Sequence, residues 1–160
     1  MANTNKAHEM PLHIAAREGC LEIIKLYIEK QKIGKIRLNL DAPMADGWTP
    51  FMYAAVNGYP TIVDLLAVPQ RSDHSRVLLT PLCDVNAIDQ FNRNALHWVI
   101  RQFSIGSNPK DEGVSESITM IKRLLELGVN YEARDIDGLS PLDMALANYK
   151  GSGEHVIEII

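Results

Sequence analysis

Apolar residues recur along this chain in two alternating kinds of run. A short run of small and aliphatic residues is followed, a few positions later, by a run with helical spacing. Leu12, Ala15 and Ala16 form the first short run, Gly19 supplies a turn, and Ile23, Ile24, Tyr27 and Ile28 lie at the spacing of one helix face. Pro11 suits the opening turn of such a helix, where its missing amide donor costs nothing. The alternation returns with Ala54 and Ala55, the turn at Asn57-Gly58, and Ile62, Val63, Leu65 and Leu66, before Pro69 ends the helical pattern. It returns again with Leu96, then Ile118, Met120, Ile121, Leu124 and Leu125. A fourth cycle runs from Leu142 and Ala145 to the apolar residues Val156, Ile157, Ile159 and Ile160. The pattern predicts helix-turn-helix units in series.

The starts of the four units are imperfect copies of one another. Thr49-Pro50-Phe51-Met52-Tyr53-Ala54-Ala55 matches Met10-Pro11-Leu12-His13-Ile14-Ala15-Ala16. Asn94-Ala95-Leu96-His97 and Ser140-Pro141-Leu142-Asp143-Met144-Ala145 are the third and fourth copies. These stretches resemble the Thr-Pro-Leu-His-x-Ala signature of ankyrin repeats. The resemblance covers about residues 6–160 and implies an all-α ankyrin repeat solenoid, with helix-turn-helix units joined by short β-hairpin connectors. The expected units are residues 6–38, 45–83, 86–130 and 131–160, forming a single domain within a larger protein. The final apolar run stops unfinished, which suggests an array that continues beyond it; a natural end cap presents a polar outer face.

Departures from the repeat fall in definite places. Phe51 and Met52 stand where the signature has Leu and His, and Asn94-Ala95 stands where it has Thr-Pro. The first unit is about six residues longer than the roughly 33-residue ankyrin period, with Lys35 and Arg37 in the surplus. About twelve extra residues separate the second and third units, where Leu78 and Leu79 suggest a segment folded back on the stack. A third insertion, of about thirteen residues around 104–113, carries Gly, Pro and Ser and is expected to project as a loop.

Composition narrows the partner class. With 46% hydrophobic residues the chain can bury a core, and its formal charge of -4 argues against a polyanion as principal partner. The first 40 residues are basic, with seven Lys or Arg against four Asp or Glu; residues 110–160 are acidic, with five against ten. Cys20 and Cys83 have no metal-ligand or disulfide-framework spacing, so a reducing, cytoplasmic setting is expected. No long apolar segment suggests a transmembrane span.

No linear motif suggests catalysis. The chain has no phosphate-binding Gly loop, His-Glu-x-x-His, zinc quartet or calcium loop, so no catalytic residue, cofactor or metal is expected. By resemblance, His13 and His97 occupy the signature position whose imidazole bonds between neighbouring repeats. A site using Cys20 and His13 lacks an orienting third group. Asp84 and Asp89, like Asp135 and Asp137, fall in connectors open to solvent, and Asp89 and Asp135 suit turn hydrogen bonding.

The resemblance implies recognition by hairpin tips and a concave face. The corresponding tip residues are Asp46 and Trp48 in the second unit; Gln90, Phe91 and Arg93 in the third; and Ile136, Asp137 and Leu139 in the fourth. The corresponding helix positions are Arg17, Glu18, Val56, Asn57, Arg101 and Gln102. Trp48, Phe91 and Arg93 are the leading candidates, because aromatics and arginine dominate interface energetics. Tyr53 and Trp98 extend the prospective aromatic patch. The expected function is protein-protein interaction by a monomer with an unidentified protein partner, without specific nucleic-acid binding. The insertions resemble those of ankyrin proteins that bacteria or large viruses direct at host cells, which would place the chain in host cytosol as an effector. The alternatives are a structural scaffold for a catalytic domain elsewhere and an enzyme with a cysteine-based site.

Overall fold

A computed structural model describes residues 11–32, 39–67, 83–106 and 112–147. The chain divides into two compact units, Met1–Asp84 and Val85–Ile160. In the first, α1 (Pro11–Arg17) pairs with α2 (Leu21–Lys32), and α3 (Pro50–Val56) pairs with α4 (Pro60–Ala67). In the second, α5 (Ala95–Gly106) packs against both α6 (Glu112–Glu126) and α7 (Pro141–Ala147).

Seven-residue helices such as α1, α3 and α7 are too short to persist alone, so their stability comes from the faces they bury. In the first unit α1 lies on α3 and α2 on α4. Leu12, Ala15, Ala16, Ile24 and Ile28 are thereby enclosed with Phe51, Ala54, Ala55, Ile62, Val63 and Leu66. Small alanines at matching positions let the short helices approach, and the larger residues fill the space between them. Phe51 and Met52, the two departures from the signature, are each 1% exposed and belong to this core. In the second unit Leu96, Val99 and Ile100 of α5 are buried together with Met120, Ile121 and Leu124 of α6 and Met144 and Ala145 of α7.

Helix starts are fixed by side chains. Thr49 is the N-cap of α3, its hydroxyl accepting from the Met52 amide, with Pro50 following at the first helical position. Asn94 Oδ1 accepts from the His97 amide and Ser140 Oγ from the Asp143 amide, so three residue types perform one task at three helix starts. Asp143 returns the bond by accepting from the Ser140 amide, a reciprocal closure worth about 1 kcal/mol.

The connectors differ from the expectation. No β-strand is present among the described residues, so the expected β-hairpin connectors are not formed. Just before α3, α5 and α7 the chain instead forms a hydrogen-bonded turn. The amide of Met44, Asp89 or Asp135 donates to the carbonyl of Trp48, Arg93 or Leu139, and the carbonyl of the first residue accepts from Gly47, Asn92 or Gly138. Two closing bonds per turn, reinforced by Asp side chains, satisfy the local amides without the repeated pairing that defines a strand. Asn92, at φ 56°, fills the left-handed position held by glycine in the other two turns, a conformation Asn tolerates better than most residues.

Two helix assignments also change. Ile23 is 44% exposed although its neighbours Ile24 and Ile28 are buried, because only one side of α2 meets α4. The expected loop at residues 104–113 is helical at both ends, since α5 continues to Gly106 and α6 starts at Glu112. Lys35, Arg37, Leu78, Leu79, residues 107–111 and the final apolar run lie outside the described residues.

Candidate functional site

The expected site residues fall into two groups, one in each unit. In the first, Asp46 Oδ1 accepts from the Trp48 amide at 3.1 Å. The Trp48 ring is half-buried and lies 4.9 Å from that of Tyr53. Tyr53 Oη in turn donates to Met44 Sδ at 3.0 Å, a contact for which the sequence offers no recognisable motif. Asn57 Nδ2 donates to the Tyr53 carbonyl at the end of α3, and Val56 beside it is half-buried. Arg17 pairs with the adjacent Glu18 at 3.0 Å on the surface. His13 is buried, and its Nε2 donates to the Ala42 carbonyl at 2.8 Å, tying α1 to the next connector.

The second unit holds the denser arrangement. Asp89 Oδ1 accepts from the Phe91 and Arg93 amides at 2.8 and 2.9 Å, and Asp135 Oδ1 accepts from the Asp137 and Leu139 amides at 2.9 and 3.0 Å. Their other oxygens reach outward from the turns. Asp89 Oδ2 accepts from Trp98 Nε1 at 2.8 Å, and Asp135 Oδ2 accepts from Arg93 Nε at 3.1 Å. Arg93 also approaches Asp137 Oδ2 at 3.5 Å. The arginine side chain is only 12% exposed, so its donors serve mainly to join successive connectors.

Arg93 is also the middle of a stack. Its Cζ lies 5.2 Å from the Phe91 ring centroid and 5.5 Å from that of Trp98, while the Arg101 Cζ lies 5.5 Å from Trp98. The quadrupole of each ring favours these cations over its face. The Ile136 amide donates to the Phe91 carbonyl at 3.0 Å, which brings an exposed aliphatic residue beside the aromatic one. Phe91, Ile136 and Leu139 are 36%, 58% and 39% exposed, and Gln90, Arg101, Gln102 and Asp137 are exposed as well. Anchored Arg93 and the exposed apolar residues Phe91 and Ile136 therefore adjoin one another.

Two buried groups titrate away from their ordinary ranges. Burial pushes the Asp135 carboxyl up, but the Leu139 amide, the Arg93 side chain and the Asp137 amide together bring it below the usual range. His97 is lowered by burial, although its bond to the Leu139 carbonyl favours the proton. A row of asparagines, unremarkable in sequence, supports the same region. Asn86 Oδ1 accepts from the Asn130 amide at 2.6 Å, and Asn94 Nδ2 donates to the Asn130 carbonyl at 2.7 Å. Short polar residues near connectors were the available signal.

No group of three or more His, Cys, Asp or Glu side chains able to hold a metal ion occurs among the described residues. Cys20 is exposed, whereas Cys83 is buried and its thiol is pushed up to about 12 by burial and the charges of Asp41 and Asp84. The buried Cys83 thiol is therefore not the activated thiolate of a nucleophilic site. No described helix is long and apolar enough to cross a membrane.

The described residues form an all-α arrangement of paired helices with side-chain-anchored turns before α3, α5 and α7. The family described as ankyrin repeats (3 copies) matches residues 1–77, so ankyrin-repeat motifs are present in the N-terminal part of the chain. Over 138 residues, 84% of this chain, it is 28% identical to a candidate E3 ubiquitin-protein ligase of Plasmodium falciparum. It is 33% identical over 61% of its length to Palmitoyltransferase ZDHHC17 of Homo sapiens, and 39% identical over 36% to the human Ankyrin repeat and SAM domain-containing protein 3. The chain spans 1%, 12% and 8% of those three relatives' own lengths, respectively.

Proposed function

We propose that this chain is a protein-binding module, and that its second unit contacts the partner through the connector tips and the exposed Arg101 and Gln102 of α5. The likeness to ankyrin-repeat chains supports the general role. The observation that carries the finer reading is the stack of Phe91, Arg93, Trp98 and Arg101 beside exposed Ile136. Its inner members are held by Asp89 and Asp135, so little side-chain freedom remains to be lost on binding. Trp48 and Tyr53 offer a smaller aromatic surface in the first unit. Units at residues 6–38, 45–83, 86–130 and 131–160 remain the proposed repeat divisions. The unpaired thiols at Cys20 and Cys83 support action in a reducing compartment.

The test is affinity capture from eukaryotic cell lysate, comparing the chain with a Phe91→Ser, Ile136→Ser variant. The reading expects specific partners to be lost from the variant while its circular dichroism is unchanged. Identical capture by both proteins would remove the second-unit surface from the function. The host-effector expectation rested on insertions that lie mostly outside the described residues, and it adds nothing to this surface.

A further inference from the structure

The geometry points to an acidic, apolar peptide segment as the partner of the second-unit surface: a carboxylate side chain of the peptide engages Arg101 while a neighbouring apolar side chain covers Phe91 and Ile136. This rests on the binding reading above and specifies its chemistry.

The two arginines of the stack have different circumstances. Arg93 is enclosed and already pairs with Asp135 and Asp137. Arg101 is exposed, stacks on Trp98, and makes no bond to a carboxylate among the described residues. Stacking orients its planar guanidinium while leaving its N–H donors available, and that fork matches a carboxylate with two parallel bonds. Trp98 is itself fixed through Nε1 to Asp89, so the platform beneath Arg101 is held in place. A carboxylate bound there neutralises a cation that has no acidic partner among the described residues.

The other side of the patch sets the rest of the ligand. Phe91 and Ile136 are adjacent through the 3.0 Å bond between their backbones, and both expose apolar surface that a Leu, Ile or aromatic side chain can cover. Asp137 is 65% exposed and stands next to Ile136, which disfavours a second acidic residue there. A nucleic-acid strand could also stack on aromatics. One exposed arginine without a carboxylate partner among the described residues, an exposed aspartate in the patch and a formal charge of -4 favour the peptide over a phosphate chain.

The experiment is selection of displayed short random peptides against the full chain, followed by titration of synthetic versions of the selected sequences. Selected peptides are expected to carry Asp or Glu at a fixed separation from an aliphatic or aromatic residue. R101E should weaken them by about tenfold or more and, in a fresh selection, favour Lys or Arg instead. R101K should retain the acidic preference with lower affinity, because it keeps the charge and loses the fork. Unchanged circular dichroism in R101E and R101K establishes that the effects are local. Peptides without acidic preference, or unaffected by R101E, overturn the carboxylate assignment. If such peptides still depend on Phe91 and Ile136, the binding reading itself stands. Peptides indifferent to Phe91→Ser and Ile136→Ser as well, or no enrichment at all, overturn the peptide proposal. Arg101-dependent binding of an oligouridine that displaces the peptides replaces it with a nucleic-acid assignment.

Discussion

Arg93 and Asp135 join two successive connectors of the second unit through a bond from Nε to Oδ2 of 3.1 Å, with the Asp135 side chain fully buried. The aspartate meanwhile caps its own turn through two amides. One carboxylate thus fixes a local loop and its relation to the preceding connector.

Asp135→Ala should destabilise the chain by about 3–5 kcal/mol, since it takes the nearer carboxylate from an enclosed guanidinium, leaving it Asp137 at 3.5 Å, and strips two amides of their acceptor. Arg93→Ala should cost less, because Asp135 keeps its amide donors. The double variant should cost less than the sum of the two, which urea titration of all three variants can measure in a Trp48→Phe background through Trp98 fluorescence. Strict additivity would contradict the coupling.

His97 and Asp135 should contribute to the pH dependence of stability with the same sign. For His97, burial depresses the folded-state proton affinity, so the unfolded chain takes up the proton first. Stability is full above the ordinary value of 6.5 and declines as pH falls below it. Asp135 is also depressed in the folded state, so its contribution is present above the ordinary 3.8 and is lost as pH falls through the lower folded value. Urea midpoints measured across pH should show the His97 contribution disappear in His97→Gln and the Asp135 contribution shrink in Asp135→Asn.

Gly19 should resist substitution for two separable reasons. Its φ of +72° strains an L residue, and an added Cβ would lie 2.5 Å from the Tyr59 ring. The backbone component of Gly19→Ala is about 1–2 kcal/mol. Adding Tyr59→Leu should recover the collision component and leave the backbone one, a partition that thermal or urea unfolding can resolve.

The two thiols should differ sharply in reactivity. At pH 8 an alkylating reagent should modify exposed Cys20 quickly and reach Cys83 only on unfolding, because burial holds Cys83 protonated as well as covered. Mass mapping of the modified peptides checks the order.

The helix pairs were legible because their causes are local. Pro11, Pro50 and Pro141 mark first turns, and the apolar spacing in α4 and α6 marks the buried faces. The connectors were less legible. Asp89 and Asp135 carry a turn signal, but whether a turn extends into strands depends on backbone pairing that side-chain pattern does not specify. Arg93 illustrates the same limit at the site. Its residue type suggests a contact with a partner, while its enclosure follows from Asp135, 42 positions away, and from the stack on Phe91 and Trp98. Met44 Sδ under the Tyr53 hydroxyl has no sequence signature at all.

The most direct test of partner binding at the second-unit connectors is site-specific photocrosslinking. A photoreactive phenylalanine analogue would be placed at Phe91, at Ile136 and, as a control, at exposed Glu116 on α6. After irradiation in eukaryotic lysate, the account predicts the same discrete adducts from positions 91 and 136, with none from 116. Equal labelling from Glu116, or no discrete adduct from either connector position, would contradict it.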